Sequence, residues 1–395
     1  MTTVSDPVLA LTEPAALRDP GPVYAWLLEH RPVFWHESLE TLLVSRHEDG
    51  SAVLRDRERF ASDFRRAGEE LPPAAISVQT LDPPGHTAIR HLLVDALRRL
   101  NYRAREEAIT RAVRDRLATL AGRPSFDFVS EFAEPLAFST ILGVLGVTGS
   151  NEPDLAWFRP VADAIVDGMD AGLWPHLAGP AMSARAELSA LTENWLMKPP
   201  GDGVVAFAAA HAASRGVSRT VLDNTLRVLL HAGYTSASKI LSLGVAALLS
   251  RPARLNELAA GDPVPAVEEL VRYESPVRAL TRLCVAGTVV GGHVVRAGDA
   301  VTVLVGAANR DPARFADPGE LRLGRSPNPH LGFGRGVHSC LGASLAALQA
   351  RVVFTTLARH YPHAQLTAAP VFRRNLTLRG VQAVHVALRS PGAPR

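Results

Sequence analysis

A loop that carries a cysteine among several glycines holds the clearest chemical signal in the sequence. Its residues are Phe333-Gly334-Arg335-Gly336-Val337-His338-Ser339-Cys340-Leu341-Gly342. Cys340 lies at the start of a helical pattern, where backbone N–H groups lower the pKa of a thiol and favour the thiolate. Gly334 and Gly336 permit a tight turn that aims N–H groups at the sulfur. Gly342 would let a flat macrocycle approach and Phe333 could shield the sulfur from water, so the loop indicates a metal-binding thiolate.

Three other interpretations of this cysteine stay open on the residues alone. A lone cysteine is most often a small buried hydrophobic residue. The glycines could form a phosphate loop, although the segment lacks the Lys-Ser/Thr pair of a P-loop. His330, His338 and Cys340 could bind zinc, although the sequence indicates no fourth ligand.

The whole loop fits the pattern FGxGxHxCxG at every fixed position. The chain therefore resembles the cytochrome P450 family, for which this cysteine-ligand signature is typical. The resemblance implies haem b as the cofactor, with the Cys340 thiolate as iron ligand and with Phe333 and Gly342 beside the haem. It also implies a cytochrome P450 fold, mainly α with small β-sheets (α+β), as a single large domain. We expect residues 1–20 to form an N-terminal lead-in and residues 21–395 to form the haem domain.

A second motif, Glu269-Leu270-Val271-Arg272, matches the family's ExxR. Its two charged residues are helix neighbours at positions i and i+3. The resemblance implies that Glu269 and Arg272 form a buried structural pair that holds the cysteine-loop region and takes no part in catalysis. The arginine that usually completes this pair as a triad is replaced by Glu320, and Arg322 or Arg325 could substitute for it.

Four basic residues stand where the family binds the haem propionates. Residues 82–90 resemble DPPEHTRxR and place His86 and Arg90 four residues apart, on one helix face. Arg282 and His338 occupy two further propionate-contact positions. Buried carboxylates need cationic or hydrogen-bonding partners, so the resemblance implies that all four residues bind the cofactor.

Three long helices must position these residues. The first is predicted from Ser218, as N-cap, to Ser250, and it is apolar nearly all round. The second follows Asp262 and ends before Pro276, and the third runs from near Cys340 to about His360. Short runs typical of strands lie near Leu42–Val44, Val289–Thr302 and Gln382–Leu388.

The first of these helices departs from the family at its centre. Where the family commonly shows A-G-x-(Asp/Glu)-Thr over the open face of the iron, this chain reads Ala232-Gly233-Tyr234-Thr235-Ser236. The resemblance implies that Ala232 and Gly233 lie against the cofactor, and Gly233 should leave room for O2 or substrate. Thr235 stands at the acid position and Ser236 at the alcohol position. Residues 224–256 contain no Asp or Glu at all.

The missing acid matters because monooxygenation needs two protons at iron-bound oxygen, and a carboxyl group linked to water can relay them. Hydroxyl groups align water but are too weakly acidic to replace that source. Three explanations stay open: a water relay that includes His231, an acidic group on the substrate, or a reaction that does not need ordinary O2 activation.

The substrate pocket is expected on this side of the cofactor. We expect His231, Thr235 and Ser236 to act in the chemistry, and His231, Ala232, Thr235 and Val277 to lie nearest the pocket. By resemblance, the pocket walls include residues 64–81, residues 155–185, Val277–Leu280 and Leu378–Val381.

Composition limits the possible partners and the cellular location of the protein. The 395 residues carry a net charge of +3, almost all of the positive charge is arginine, and Lys198 and Lys239 are the only lysines. So small a net positive charge does not indicate a nucleic-acid partner. Cys284 and Cys340 are the only cysteines, which excludes a disulfide framework. No signal peptide or membrane span is indicated, so we expect a cytoplasmic protein.

The resulting expectation is an oxidoreductase that transforms a small organic substrate in specialised metabolism, with O2 and with electrons from a ferredoxin and its reductase. The first alternative keeps the haem-thiolate but performs oxidative coupling, peroxide-driven or nitrene-type chemistry. A remote alternative is a non-catalytic haem-binding sensor or gas carrier.

Overall fold

Helices form most of the protein, as the sequence predicts. The computed structural model describes residues 6–388. The α-helices are α1 (Pro7–Ala10), α2 (Pro14–Arg18), α3 (Gly21–His30), α4 (His47–Arg55), α5 (Gly85–Arg98), α6 (Tyr102–Ala121), α7 (Glu134–Leu145), α8 (Leu155–Asp167), α9 (Ala178–Met197), α10 (Val204–His211), α11 (Arg219–Leu249), α12 (Pro252–Ala260), α13 (Pro263–Glu274), α14 (Val305–Ala308) and α15 (Ala343–His360). Short 3-10 helices lie at Glu37–Leu39, Phe64–Ala67, Pro73–Ala75, Gly149–Asn151, Gly168–Asp170, Pro175–Leu177, Ala213–Arg215 and Gly336–His338, and a π-helix lies at Val129–Ala133.

The strands are short and form four small sheets. They are β1 (Val33–His36), β2 (Thr41–Val44), β3 (Phe60–Ala61), β4 (Phe126–Asp127), β5 (Ala279–Cys284), β6 (Thr288–Val290), β7 (His293–Val295), β8 (Ala300–Leu304), β9 (Gln365–Leu366), β10 (Val371–Phe372), β11 (Val381–Ala383) and β12 (His385–Ala387). The largest sheet has the order β1-β2-β8-β5-β3, in which β2 and β8 are parallel and the other pairs are antiparallel. The sheet fixes β5, the strand that carries Arg282.

The central helix α11 crosses the interior. Ser218 is its N-cap, as predicted, and its side chain accepts a hydrogen bond from the N–H of Val221 at 3.3 Å. The helix is long and apolar enough to span a membrane, but 78% of its most apolar 18-residue window is buried inside the protein. It packs against α7, α9, α13 and α15, which identifies it as the core helix of the fold.

Two further helices frame the cysteine loop. α13 begins after Asp262, whose carboxylate accepts a hydrogen bond from the N–H of Val264 at 2.9 Å. α15 starts at Ala343, three residues later than Cys340, because a 3-10 turn and Gly342 come before its first turn. Both helices contact α11 and each other, so the loop between them is held by one packed core.

The first described residues pack onto the rest of the domain. Val8 and Leu11 are buried in a cluster with Tyr24 and Leu27 of α3. The carbonyl oxygen of Leu17 accepts a hydrogen bond from the guanidinium of Arg379. Residues 6–20 therefore belong to the same folded unit as the remainder of the described chain.

Candidate active site

The cysteine loop is tightly folded. Gly334 and Gly336 have φ angles of +68° and +73°, the left-handed region that favours glycine. A Cβ atom built at Gly336 would lie 2.5 Å from the carbonyl oxygen of Leu54. The N–H of Cys340 donates to the carbonyl oxygen of Phe333 at 2.8 Å, which closes the loop. Phe333 is half-buried and packs against the main core.

The surroundings of Cys340 have opposing effects on the pKa of its thiol. Its side chain keeps accessible surface, although protein atoms surround much of it. Burial raises the pKa of Cys340, and hydrogen bonding from Gly342, the charge of Arg90 and hydrogen bonding from Ala343 oppose this. The expected lowering of the pKa by the N–H groups is present, but burial is the larger effect and the pKa of the thiol is raised. A coordinated metal removes a thiol proton outright, so the thiolate depends on the metal.

The pair Glu269 and Arg272 is fully buried, with both side chains 0% exposed. Arg272 donates from Nε to Oε2 of Glu269 at 2.7 Å and from Nη2 to Oε1 at 2.8 Å. It also donates from Nη1 to the carbonyl oxygen of Asn309 at 2.8 Å. The side-chain oxygen of Asn309 accepts a hydrogen bond from the N–H of Leu331 at 2.7 Å. The buried pair is thus linked to the segment that leads into the cysteine loop.

Arg325 makes the contact of the family's third residue, the arginine that is replaced by Glu320 in this chain. Its Nε lies 3.1 and 3.0 Å from the two carboxylate oxygens of Glu269. Arg322 contributes only its backbone N–H, at 2.8 Å from Oε1 of Glu269. The side chain of Glu320 takes no part in this cluster, but its carbonyl oxygen accepts from Arg272 at 3.0 Å. A neighbouring residue therefore restores the third contact.

A group of basic residues lies next to the cysteine loop. The ring of His86 is buried and its centroid lies 4.3 Å from that of His338. Nε2 of His86 has no hydrogen-bond partner within residues 6–388. Burial and the neighbouring His338 and Arg90 lower the pKa of His86 to about 4. An orphaned ring nitrogen of this kind is costly unless a further group bonds to it.

His338 and Asp82 are hydrogen-bonded to each other at the same place. Nε2 of His338 lies 3.0 Å from Oδ1 of Asp82. Burial by itself would raise the pKa of Asp82. Hydrogen bonds from His338, the backbone N–H of Asp63 and Arg66 outweigh it and hold the pKa far below its ordinary value. Asp82 is therefore ionised and orients His338.

The two arginines of this group keep free donors. Arg90 donates from Nη2 to the carbonyl oxygen of Ser339 at 2.9 Å, next to Cys340. Arg282 donates from Nη1 to the carbonyl oxygen of Thr281 at 2.8 Å, and burial lowers its pKa. Among the described residues, no carboxylate lies within ion-pair distance of either guanidinium. Both can therefore bind an anionic group.

These residues fit a haem. Cys340 offers a sulfur ligand, and a Cβ atom built at Gly342 would meet no other atom within 4 Å, so a flat ring has space to approach. His86, Arg90 and Arg282 offer hydrogen-bond donors for propionates. Haem would thus be held by Cys340 at the iron and by the basic group at its acidic edge.

The zinc interpretation is not supported by the side chains. Nε2 of His330 lies 2.8 Å from a carboxylate oxygen of Glu268, whereas His338 is bonded to Asp82. Across residues 6–388, no group of three or more His, Cys, Asp or Glu could hold a metal ion together. His330 and His338 therefore do not converge with Cys340.

Accessible positions in the middle of α11 fall on one face, because they recur three or four residues apart. They are Val228, Leu229, Ala232, Gly233, Ser236 and Lys239. We call this set the accessible face of α11. Ser236 donates from Oγ to the carbonyl oxygen of Ala232 at 2.6 Å, so the only hydroxyl of this face is bonded along the helix.

His231 and Thr235 lie away from the accessible face, which corrects our expectation that they are nearest the pocket. His231 is 6% exposed, and its Nε2 donates to the carbonyl oxygen of Ala162 in α8 at 3.1 Å. Burial lowers its pKa to about 4, an effect that the Ala162 carbonyl partly opposes and the charge of Lys239 strengthens. Thr235 is 2% exposed and donates to the carbonyl oxygen of His231 at 2.8 Å. His231 therefore points towards α8, and Thr235 is bonded within its own helix.

Gly233 also serves a different purpose from the one we expected. A Cβ atom built there would lie 2.5 Å from Cδ1 of Ile141 in α7. The glycine therefore allows α7 and α11 to pack closely, rather than leaving room for O2 or substrate. Tyr234 is a packing residue, with its ring edge-on to Phe138 and Phe158.

The expected pocket walls meet α11. Asn224 donates to the carbonyl oxygen of Ile76, and Thr225 accepts from the N–H of Val78, which fixes residues 64–81 to the helix. Residues 155–185 contact it through Ala162. Val277 is half-buried and pairs with Leu378, so the other two wall segments lie side by side.

Two residues of this region escaped sequence reasoning. Asp82 belongs to a motif, but nothing in a sequence shows that its carboxylate pairs with a histidine 256 residues away. Lys239 was not among the predicted site residues. Its signal was visible: it is one of two lysines, and it lies in the middle of an apolar helix.

Comparison with known proteins relates the chain to one family. Residues 265–375 match the family model described as Cytochrome P450. The chain is 34% identical to "Cytochrome P450 monooxygenase PikC" of Streptomyces venezuelae, over 98% of this chain and 96% of the other. It is 36% identical to "Nocardicin C N-oxygenase" of Nocardia uniformis subsp. tsuyamanensis, over 91% and 92%. The structure of CYP109E1 from Bacillus megaterium in complex with testosterone aligns with a TM-score of 0.87 at 25% identity, over 95% of this chain and 99% of the other.

Proposed function

The chain belongs to the cytochrome P450 family, and we propose that it is an oxidoreductase that transforms a small organic substrate at a haem b bound through Cys340. The proposal depends on the position of an accessible cysteine next to a buried histidine, His86, whose Nε2 has no protein partner, and next to two arginines without a carboxylate partner. A haem bound in this way supplies redox chemistry, with electron density from the thiolate.

The chain's own residues have separate tasks in this proposal. The Glu269–Arg272 pair and Arg325 hold the cysteine loop through Asn309. The basic group orients the cofactor by its propionates. The accessible face of α11 binds the substrate through apolar side chains and offers Ser236 as its hydroxyl. Ser236 holds its proton on the carbonyl oxygen of Ala232, so water can bond to its free lone pair.

Relatives support a role in specialised metabolism. The names "Nocardicin C N-oxygenase" and "Polyketide biosynthesis cytochrome P450 PksS" describe two of them, the second 28% identical over 88% of each chain. We propose a cytoplasmic enzyme that uses O2 and receives electrons from a ferredoxin and its reductase, as the resemblance to bacterial members implies.

A second candidate is haem-thiolate chemistry without ordinary O2 activation, such as oxidative coupling, peroxide-driven or nitrene-type transfer. The observation in its favour is that α11 carries no carboxyl group after Asp223, which lies near its start and is buried against Thr192. The imidazole of His231 and the hydroxyls of Thr235 and Ser236 are all bonded to backbone carbonyls.

One experiment separates the two candidates. A compound panel is first screened for changes in haem absorption, and binders are then incubated with O2, ferredoxin and reductase or with peroxide alone. Oxygenated product in the first mixture is expected. In Ser236→Asp, an acid on the accessible face of α11 should raise that rate several-fold, within the range of general acid catalysis, whereas Ser236→Asn should not. Product without O2 and reductant would instead favour the second candidate.

A further inference from the structure

Lys239 is the only charged side chain on the accessible face of α11. It follows Ser236 by three residues and Ala232 by seven, so all three lie on one side of the helix. After Lys239, residues 240–249 are buried. The ammonium group therefore marks the end of the face along which a substrate would lie.

The lysine also touches an expected pocket wall. A Cβ atom built at Gly380 would lie 2.9 Å from Cε of Lys239 and 3.2 Å from its Cδ. Gly380 belongs to the segment Leu378–Val381, and its carbonyl oxygen accepts the N–H of Arg373 at 3.0 Å. The lysine chain thus passes over a glycine that leaves room for it, at the junction of α11 and the wall.

The acids around Lys239 are engaged by arginines. Asp163 and Asp167 both bind Arg373, at 2.6 and 2.9 Å. Glu134 lies 2.6 Å from Nε of Arg159. Among the described residues, no carboxylate oxygen lies within 4.0 Å of the Lys239 ammonium, and no hydrogen bond from it is formed. The charges of these three acids are balanced by those of Arg373, Arg159 and Lys239. The N–H donors of the lysine nevertheless form no hydrogen bond.

Lys239 is half-buried, so its ammonium is partly withdrawn from water, and unused donors add to the cost of that desolvation. Burial lowers the pKa of Lys239, with Asp163 acting in the opposite direction and Arg373 in the same direction as burial. A ligand oxygen at this point would offset the cost. Because the surrounding charges already balance, the attraction would come from direct charge-assisted hydrogen bonds, which carboxylates form best.

We propose that Lys239 determines substrate specificity by binding a carboxylate of the substrate, whose apolar body lies along Leu229 and Ala232. This inference rests on the proposed function and adds the substrate class: an organic acid with an apolar body. The competing role of Lys239 is structural, as a counter-charge for Asp163, Asp167 and Glu134, and that role predicts no preference among ligands.

The test compares acids with their methyl esters on the haem-loaded enzyme. Octanoate, dodecanoate and 4-phenylbutyrate are titrated beside their esters, with dissociation constants from haem absorption and from calorimetry. The wild type should bind acids at least roughly tenfold more tightly than esters, as expected for a charged hydrogen bond. Lys239→Met should abolish this preference, Lys239→Arg should retain part of it, and Lys198→Met, at the exposed second lysine, should leave it unchanged.

The outcomes are distinguishable. Loss of the thiolate-type absorption of the reduced CO complex in the wild type would overturn the proposed function itself. With that absorption intact, the inference is overturned if no acid binds, if esters bind equally well, or if the preference survives in Lys239→Met. Should Lys239→Met fail to bind haem, Lys239→Gln takes its place and the wild-type comparison of acid and ester decides.

Discussion

The cysteine loop and the accessible face of α11 are held in opposite ways. Around the loop, Glu269 alone receives hydrogen bonds from Arg272, Arg325, Asn328 and the N–H of Arg322. On α11, His231, Thr235 and Ser236 bond to backbone carbonyls of α11 itself or of α8. The first region is fixed by many side chains from distant segments, and the second by little more than helix geometry.

This difference corresponds to two tasks: binding the iron, which requires a fixed geometry, and binding the substrate, which allows the side chains to vary. Binding an iron through sulfur requires one geometry, so the loop is surrounded by contacts that permit no other. Recognition of a substrate requires a surface whose side chains can change without loss of the helix. Apart from Gly233, which packs against Ile141, residues such as Val228 and Ala232 meet that requirement, because substitutions there leave the N-cap of α11 unchanged.

The largest effect is expected at the iron ligand. Cys340→Ala removes the sulfur and should abolish both turnover and the thiolate-type absorption of the reduced CO complex. Cys284→Ala is the matched control, because Cys284 is buried in the sheet and its thiol bonds only to the carbonyl oxygen of Ala286. Retention of the absorption in Cys340→Ala would refute the ligand assignment.

The next largest effect concerns stability on the cysteine-loop side. Glu269→Gln leaves two buried guanidinium groups without their carboxylate and should lower the free energy of unfolding by about 3–5 kcal/mol. Glu107→Gln breaks an exposed pair with Arg103 and should cost less than about 1 kcal/mol. Urea unfolding with fluorescence detection measures both, and equal losses would show that the buried pair is not the support that its contacts indicate.

The sequence was sufficient for the cysteine-loop side because its motifs are long and each position has a geometric reason. Gly334 and Gly336 adopt positive φ angles, and Ser218 caps α11, as local rules require. Even the replaced arginine was recoverable, since Arg325 was one of two candidates within five residues of Glu320.

The α11 side was less predictable because the direction of a side chain depends on partners elsewhere in the chain. His231 points to Ala162 and Gly233 accommodates Ile141, and neither partner is visible in the motif around Ala232. The role proposed for Lys239 was unpredictable for the same reason. It depends on the lack of a carboxylate within ion-pair distance among the described residues, which only the folded structure shows. Burial of the Cys340 thiol is likewise a property of the folded surroundings.

A pH dependence of stability should distinguish the buried histidine of α11 from exposed ones. Burial lowers the pKa of His231 from 6.5 to about 4, so below pH 6.5 the unfolded chain binds a proton that the folded protein rejects. Stability is therefore full above pH 6.5 and is lost as the pH falls towards 4. Between pH 7 and 5, the wild type should lose about 2 kcal/mol more unfolding free energy than His231→Gln.

The control for this measurement is His30→Gln, at an exposed histidine of α3. It should follow the wild type across the same pH range. If His231→Gln also follows the wild type, the imidazole is protonated in the folded state and the packing against Ala162 does not exclude the proton.

The smallest effect on stability is expected at Ser236. Its hydroxyl bonds to a carbonyl oxygen of its own helix, so Ser236→Ala should change the unfolding free energy by less than about 0.5 kcal/mol. The same variant should lower the amount of product formed per O2 consumed, because the accessible hydroxyl no longer orders water. Ser242→Ala removes a buried hydroxyl bonded in the same way to Ser238 and should leave this ratio unchanged. If both variants behave alike in product yield, Ser236 has no role beyond the helix, and the accessible face of α11 contributes to binding alone.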